Sequence, residues 1–312
     1  MKISFVIPVL NEEESLPKLY EEISKFTSAE DFEIIFVDDG STDSSFAQMQ
    51  KLAKLDKRVK IVKFRKNFGK SAALKVGFQH TKGEVIFTMD ADLQDNPAEI
   101  PNFISKLEEG YDLVSGWKRK RRDPINKTLP SKIFNGFNSK AFGIKLHDFN
   151  CGFKAYRREL VKELDLYGEM HRYIPALAHA KGFKIAEIPV EHRKREFGKS
   201  KYGMERYLRG FLDFLTVKLI TSYTHSPLYL FGRIGTSIGG IGFLIGLYLT
   251  IMKYFFQQPL YNRPLLFLSV LLIVVGLQFF SIGLLAELIV SQNRHKNHED
   301  KVSIQKMINF EE

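Results

Sequence analysis

Two aspartates spaced by two, Asp90 and Asp92, end the apolar run of EVIFTMDADLQD, and Gln94 follows two residues on. The stretch Val85 to Met89 is short, apolar and β-branched, which reads as a buried strand of a parallel sheet. Open α/β sheets bind ligands beyond the carboxyl ends of such strands. Side chains at i and i+2 of an extended segment point the same way. Two carboxylates so placed suit an octahedral Mg²⁺ or Mn²⁺, whose other positions are filled by substrate phosphates and water. Alone, such a pair is more often a solvated turn or a helix N-cap. The remainder of the chain decides between these readings.

A second acidic cluster ends the run IIFVDDGSTD, with Asp38, Asp39 and Asp43. Gly40 permits a tight turn, and Ser41 or Thr42 can cap the helix that follows. A carboxylate here can accept hydrogen bonds from a base or ribose, or the segment can be a well-capped strand–turn–helix. Both readings stand on these residues alone. Phosphate chemistry also needs cations. One basic block runs from Lys118 through Arg119, Lys120, Arg121 and Arg122, and another gathers Arg193, Lys194, Arg195, Lys199 and Lys201 around Gly198 and Ser200. A solvated face, a nucleic-acid patch and a phosphate clamp are the three candidates. No zinc-finger, helix-turn-helix or aromatic RNA signature accompanies the blocks, so nucleic acid is the weakest. In HDFNCGFK, Asp148 either faces the active centre or caps a turn.

The elements that must position these residues alternate. Strands are expected at 3–7, 33–38, 59–64, 84–89 and 111–115, with helices at 15–27, 43–56, 70–80 and 97–108. That order predicts an α/β fold with a mostly parallel sheet and helices on both faces. The rhythm breaks over 117–148 and returns over 151–190. The chain has 312 residues and a single Cys, Cys151, which excludes an internal disulfide and fits a reducing compartment. The N-terminal apolar run breaks into Asn11-Glu12-Glu13-Glu14 and reads as a first strand, not a signal peptide.

Composition shifts sharply near Pro227. Ile234 to Met252 and Leu265 to Ala286 carry no charge, and each is long enough to cross a bilayer. Together they read as a transmembrane hairpin. Gly235, Gly239, Gly242 and Gly246 form one small-residue face, suited to close packing within the hairpin or between subunits of a homo-oligomer. The connecting loop has only Lys253 and Arg263, whereas the tail has Arg294, Lys296, Lys301 and Lys306. The positive-inside tendency then puts both termini and the catalytic part in the cytoplasm. Ahead of the spans, Leu208, Phe211, Leu212, Leu215 and Leu219 recur at helical spacing among Arg206, Arg209 and Lys218. A basic amphipathic helix beside a membrane span is expected to lie in the interface. The expected layout is a catalytic domain over 1–202, an interface helix over 203–227, a hairpin over 228–290 and a cytoplasmic tail over 291–312.

Six segments in order, PVLNEEES, VDDGSTD, RKNFGKSAAL, MDADLQDNP, DFNCGFKAY and HRKREFGKSKYG, resemble the family-2 glycosyltransferases. Within that family the chain is similar to the polyprenyl-phosphate branch typified by dolichol-phosphate mannose synthase, and the hairpin resembles its bacterial two-span members. The resemblance covers about 225 residues and implies a GT-A fold, a nucleotide-sugar donor and a polyprenyl phosphate acceptor. It implies Pro8, Glu12 and Asp39 in the nucleoside pocket, Asp90 on the donor, and Asp92 and Gln94 at the metal. It implies acceptor or diphosphate contacts from Arg119, Arg121, Arg122, Lys132, Arg195, Ser200 and Lys201. A phosphate acceptor arrives already ionised, so Asp148 is expected to position the reaction and not to serve as an obligatory base. Processive members of the wider family carry Q-x-x-R-W. The sole Trp here, Trp117, follows Ser115-Gly116, which argues for one sugar per acceptor. UDP-glucose and UDP-N-acetylglucosamine are the expected donors and undecaprenyl phosphate the expected lipid. A nucleotide-sugar pyrophosphorylase, a non-catalytic nucleotide-sugar or lipid-binding scaffold, and transfer to a protein or glycan acceptor at the membrane are the competing readings. The first lacks its Gly-rich N-terminal loop, and the second leaves the acids unexplained.

Overall fold

The computed structural model describes residues 2–27, 31–119, 135–193, 206–223, 226–257 and 264–296. The first compact unit, Met1–Val217, is built on a sheet of seven strands in the order β3-β2-β1-β4-β6-β5-β7. Its elements run β1 (Lys2–Val9), α1 (Leu16–Phe26), β2 (Asp31–Asp38), α2 (Ser45–Leu55), β3 (Val59–Lys63), α3 (Lys70–Gln79) and β4 (Val85–Thr88). There follow α4 (Ile100–Glu108), β5 (Leu113–Trp117), a helix α5 over 135–142, β6 (Lys154–Arg157), α6 (Arg158–Glu163), α7 (Ile174–Ala180) and β7 (Ile185–Pro189). The strands β1 to β4 and the β5–β7 pair are parallel, and β6 runs antiparallel to both its neighbours.

Strand alternation divides the core into two layers. Ile34 and Phe36 of β2 join α1, α2 and α4 on one face through Leu16, Leu19, Ile23, Met49 and Phe103. Ile35 and Val37, one residue out of phase, pack with Ala73 of α3 on the other. This period-two split is why both faces need helices and why β2 is buried along nearly its whole length. At the centre Phe87 stacks on Phe5 at 5.3 Å and meets Phe103 at 5.8 Å and Phe153 at 6.1 Å. Each such ring contributes about 1.5–3 kcal/mol on burial. It also fixes β4, at whose end the paired acids lie.

The strand order reverses at β1: β2 and β3 lie to one side and β4 to the other. Such a switch point opens a crevice at the carboxyl ends of the flanking strands. In register, Val9 of β1 is opposite Asp38 of β2, and Val6 is opposite Thr88 of β4. Asp39 and Asp90 therefore leave the sheet on either side of β1. The antiparallel register Thr88↔Lys154 brings the segment before β6 alongside the residues after β4.

The second compact unit is Lys218–Glu312, and α8 (Arg206–Tyr223) runs across the boundary. Along α8, Phe214 and Val217 are buried, while Leu212 and Leu215 are 54% and 47% exposed. Phe214 packs at a tilt against Phe137 at 4.7 Å and edge-on to Phe142 at 5.7 Å. The helix thus has one face in the core and a separate leucine stripe outside it. The second unit holds α9 (Pro227–Phe256) and α10 (Pro264–Lys296), both long and apolar enough to cross a membrane. They outrun the uncharged windows because Arg233 and Lys253 continue α9 without a break. The glycine face is used inside the hairpin. A Cβ at Gly235 would lie 2.6 Å from the Gly276 carbonyl oxygen, and one at Gly242 would lie 2.8 Å from that of Ser269. The Glu287 carboxylate accepts the Leu228 N–H at 3.3 Å, satisfying one open donor of the first turn of α9.

Candidate active site

Asp39, expected from the sequence in the nucleoside pocket, is firmly anchored. Its N–H donates to the Val9 carbonyl at 2.8 Å. Its carboxylate accepts the Phe68 N–H at 2.7 Å on Oδ1 and the Gly69 N–H at 3.0 Å on Oδ2. Burial raises its pKa, with the Asp38 charge adding to the rise, against the lowering effect of the two amides. Gly69 has φ +90, a left-handed conformation that favours glycine and lets both amides face the carboxylate. Next to it, Asp38 accepts the Ser41 N–H at 2.8 Å, the capped-turn role the sequence allowed.

The loops after β1 and β2 are stitched together. Asn11, at φ +54, accepts the Thr42 N–H at 2.8 Å and donates its own N–H to Ser41 Oγ at 3.0 Å. The Glu12 N–H meets Ser45 Oγ at 2.8 Å, and Asp43 accepts the Glu13 N–H at 3.3 Å. Pro8, Glu12 and Asp39 therefore belong to one cluster at the carboxyl edge of β1 and β2, partly open at Pro8 and Glu12.

Asp90 is paired with Lys70, the first residue of α3. Burial opposes its charge, but Lys70 and then Lys118 outweigh that and hold the carboxyl well below the usual range. Gly152 lies against it: a Cβ at residue 152 would fall 2.6 Å from Asp90 Oδ2 and 2.8 Å from Cγ. Asp92 is buried, and its Oδ1 accepts the Gln94 N–H at 3.2 Å. The Gln94 carbonyl accepts the Arg193 N–H at 3.0 Å, and the side-chain amide nitrogen points to the Arg193 carbonyl at 3.5 Å. The amide oxygen is thereby left as the face available to a cation. Arg193 is tied to Glu22 at 2.7 Å, so it braces this loop and takes no part in a solvated basic face.

Lys118 also departs from the basic-block reading. Its side chain is only 12% exposed, and its Nζ lies 3.2 Å from Asp95 Oδ1. Burial disfavours its charge, yet Asp95, with Asp90 and Asp92, raises its pKa well above the ordinary lysine value. The end of β5 carries it into the acidic cluster. Arg119, one residue on, lies outside, its guanidinium 5.7 Å from the Trp117 ring. Arg121, Arg122, Lys132, Arg195, Ser200 and Lys201 lie outside the described residues.

Asp148 is buried and accepts the Asn150 N–H at 3.1 Å, while its own N–H donates to Glu187 at 2.8 Å. This is turn-forming geometry. Lys154 is also buried, with its ammonium on the Cys151 carbonyl, and burial pulls its pKa down. The Cys151 thiol is pushed up to about 12 by burial, which makes it unreactive. His171 lies 3.0 Å from Ser71 Oγ through Nδ1, and burial, Lys70 and Arg172 hold it neutral. With Thr88, Gly152 and Tyr156, residues Lys70, Lys154 and His171 line a small recess.

The sequence reasoning therefore missed Lys70, Lys118, Lys154 and His171. Lys70 stands in the RKNFGKSAAL motif without an assigned role, and Lys118 was hidden in the basic block. Lys154 stands in the DFNCGFKAY motif, likewise without an assigned role, and His171 carries no local signal.

Among the described residues no group of three or more His, Cys, Asp or Glu is arranged to hold a metal. The donors that are present, Asp92 and Gln94 with Asp90 beside them, are hard oxygens. They fit a Mg²⁺ or Mn²⁺ that takes one or two protein ligands and completes its shell from a diphosphate. They do not fit zinc, which asks for nitrogen or sulfur ligands.

A switch-point crevice edged by Asp39 on one side of β1 and by Asp90 and Asp92 on the other is where open α/β sheets bind ligands. Residues 4–165 match the family model described as glycosyl transferase family 2, and the chain belongs to that family and is a glycosyltransferase. It is 37% identical over 296 residues to the dodecaprenyl-phosphate galacturonate synthase of Rhizobium johnstonii, covering 93% of this chain and 88% of that protein. It is also 37% identical over 301 residues to the undecaprenyl-phosphate 4-deoxy-4-formamido-L-arabinose transferase of Shewanella sediminis, covering 92% and 86%. Among solved structures it is similar to glucosyl-3-phosphoglycerate synthase from Mycobacterium tuberculosis in complex with Mn²⁺, UDP and phosphoglyceric acid. The TM-score is 0.57 at 19% identity, over 70% of this chain and 78% of that one, a likeness of fold.

Proposed function

We propose that the protein transfers one sugar from a nucleoside diphosphate sugar to polyprenyl phosphate at the cytoplasmic face of a membrane, with inversion at the anomeric carbon. The observation that carries the reading is the placement of Asp39 and the Asp90/Asp92 pair on either side of β1, at the switch point of the sheet. The lipid acceptor is supported by the names of the two relatives, which align over more than nine-tenths of this chain, and by two apolar helices of spanning length. UDP is the favoured nucleotide. Glucose and N-acetylglucosamine remain expected sugars, and the relatives add galacturonate and 4-deoxy-4-formamido-L-arabinose as candidates.

In this reading Pro8, Glu12 and Asp39 hold the nucleoside, and Asp90 meets the sugar end of the donor. Asp92 and Gln94 hold Mg²⁺ or Mn²⁺, which when bound neutralises charge on the leaving diphosphate. Lys118 offsets the crowded acids around it. The acceptor arrives already ionised, because a phosphate monoester has its second pKa at about 6. No general base is then required, and the buried turn geometry of Asp148 supports a positioning role. Arg119, Arg121, Arg122, Lys132, Arg195, Ser200 and Lys201 are assigned to acceptor and diphosphate. The exposed leucines of α8 would lie in the membrane interface, with the hairpin anchoring a catalytic domain over 1–202. Both termini would then be cytoplasmic.

The test is transfer from labelled nucleotide sugars to undecaprenyl phosphate with Mn²⁺, read in the organic extract. Label with at least one donor, lost in Asp92→Asn, is expected. Absence of label with every donor, in protein that binds UDP, would reject lipid transfer.

A further inference from the structure

Four consecutive residues around the start of α3 reach three different parts of the site. The amides of Phe68 and Gly69 end on Asp39, at 2.7 and 3.0 Å. The Lys70 ammonium ends on Asp90. Ser71 Oγ accepts the His171 N–H and faces its ring Nδ1, each at 3.0 Å. A lysine is electrostatically ill-placed as the first residue of a helix, where the dipole is already positive. This one does not extend into water. Its side chain is 25% exposed and turned to Asp90, itself 34% exposed. Gly152 packs against the same carboxylate, where a Cβ would fall 2.6 Å from Oδ2.

The geometry points to Lys70 as a positioning residue for the donor sugar, holding Asp90 with the same short segment that holds Asp39. One stretch of backbone thus sets the spacing between the nucleoside end and the sugar end of the donor. This rests on the reading of Asp90 as a donor contact. It predicts a division that a merely structural ion pair would not produce. Loss of Lys70 leaves the Asp39 amides in place, so UDP binds as before. Asp90, released from its cation, no longer presents one geometry to the sugar, and only the intact nucleotide sugar loses affinity.

The experiment uses the full chain in detergent with Mn²⁺, titrated calorimetrically with UDP and with UDP-glucose, UDP-N-acetylglucosamine and UDP-galacturonate. Lys70→Met, Lys70→Arg, Asp90→Asn and the double variant Lys70→Met with Asp90→Asn are compared with wild type. For the sugar nucleotide that wild type binds most tightly, Lys70→Met should weaken binding about tenfold, roughly one charge-assisted contact, with UDP changed less than about twofold. Lys70→Arg should restore most of the loss. The double variant should be no weaker than Asp90→Asn alone, since both act through one group. Equal loss of UDP and sugar nucleotide, or losses that multiply in the double variant, would overturn the inference. Unaltered sugar-nucleotide binding in Lys70→Met overturns it while leaving Asp90 as a donor contact. If Asp90→Asn binds every sugar nucleotide as tightly as wild type does, the donor reading of Asp90 falls and the inference with it.

Discussion

Gly152→Ala is the smallest change that should disable the site without touching any group that does chemistry. The new Cβ would lie 2.6 Å from Asp90 Oδ2 and 2.8 Å from Cγ. Ordinary carbon contacts lie at about 3.5–4.0 Å, so the two must separate by about 1 Å. Asp90 cannot retreat freely, because Lys70 holds its Oδ1. Gly152 is not among the glycines with positive φ, so alanine fits its backbone and the penalty is the collision alone. A displacement of about 1 Å at a reacting centre costs on the order of 10²-fold in rate, equivalent to about 2.7 kcal/mol of barrier. The assay is steady-state sugar transfer, with UDP affinity and the thermal midpoint measured on the same preparation. The expected result is a kcat lower by about 10²-fold, with UDP affinity within about threefold of wild type. A kcat within about threefold of wild type in well-folded protein would refute the claim that Asp90 needs its observed position.

Further outcomes follow from other contacts. Asp148→Asn should cost less than about tenfold in kcat, well short of the 10²–10⁴ loss of an obligatory base, checked by initial rates with saturating donor. Gly276→Leu should prevent hairpin packing, since a Cβ there would meet Gly239 N at 2.6 Å and Gly235 O at 2.7 Å; the yield and thermal midpoint of detergent-extracted protein report it. At the opposite end of the sheet, buried Glu33 takes Ser4 Oγ at 2.6 Å, the Lys82 N–H at 2.6 Å and Lys60 Nζ at 2.5 Å. Burial would raise its pKa, but Lys60, Ser4 and Lys82 together lower it below 4.5. A depressed carboxyl pKa gives stability that is present above the unfolded value and lost as pH falls through the folded one. Glu33→Gln should therefore lower the urea midpoint at pH 7 and flatten the decline of that midpoint below pH 4.5, followed by circular dichroism.

The parallel half of the sheet was legible because each strand is an apolar run closed by turn residues. The expected 33–38 and 59–64 differ from Asp31–Asp38 and Val59–Lys63 only at their ends. The acids were legible for the same reason: Asp39 and Asp90 stand where the apolar run stops. What lay beyond reach depends on contacts distant in sequence. Lys154 enters the site through the antiparallel β4–β6 register, Thr88↔Lys154, which no local pattern encodes. Lys118 reads as surface because its neighbours in sequence are basic, yet its neighbour in space is Asp95. The glycines of α9 announced close packing, but only the facing Gly276 identifies the partner as α10. Helix α8 was legible as a leucine stripe, whereas its buried face at Phe214 depends on rings of α5.

The central claim is the transfer of a single sugar to a lipid phosphate. Its most direct measurement is mass spectrometry of the organic phase after reaction with undecaprenyl phosphate, Mn²⁺ and the donor that gives label. The account predicts one new species, heavier than the acceptor by one sugar residue and absent with Asp92→Asn. A ladder of additions, or sugar recovered only as free monosaccharide while the lipid stays unmodified, would contradict it.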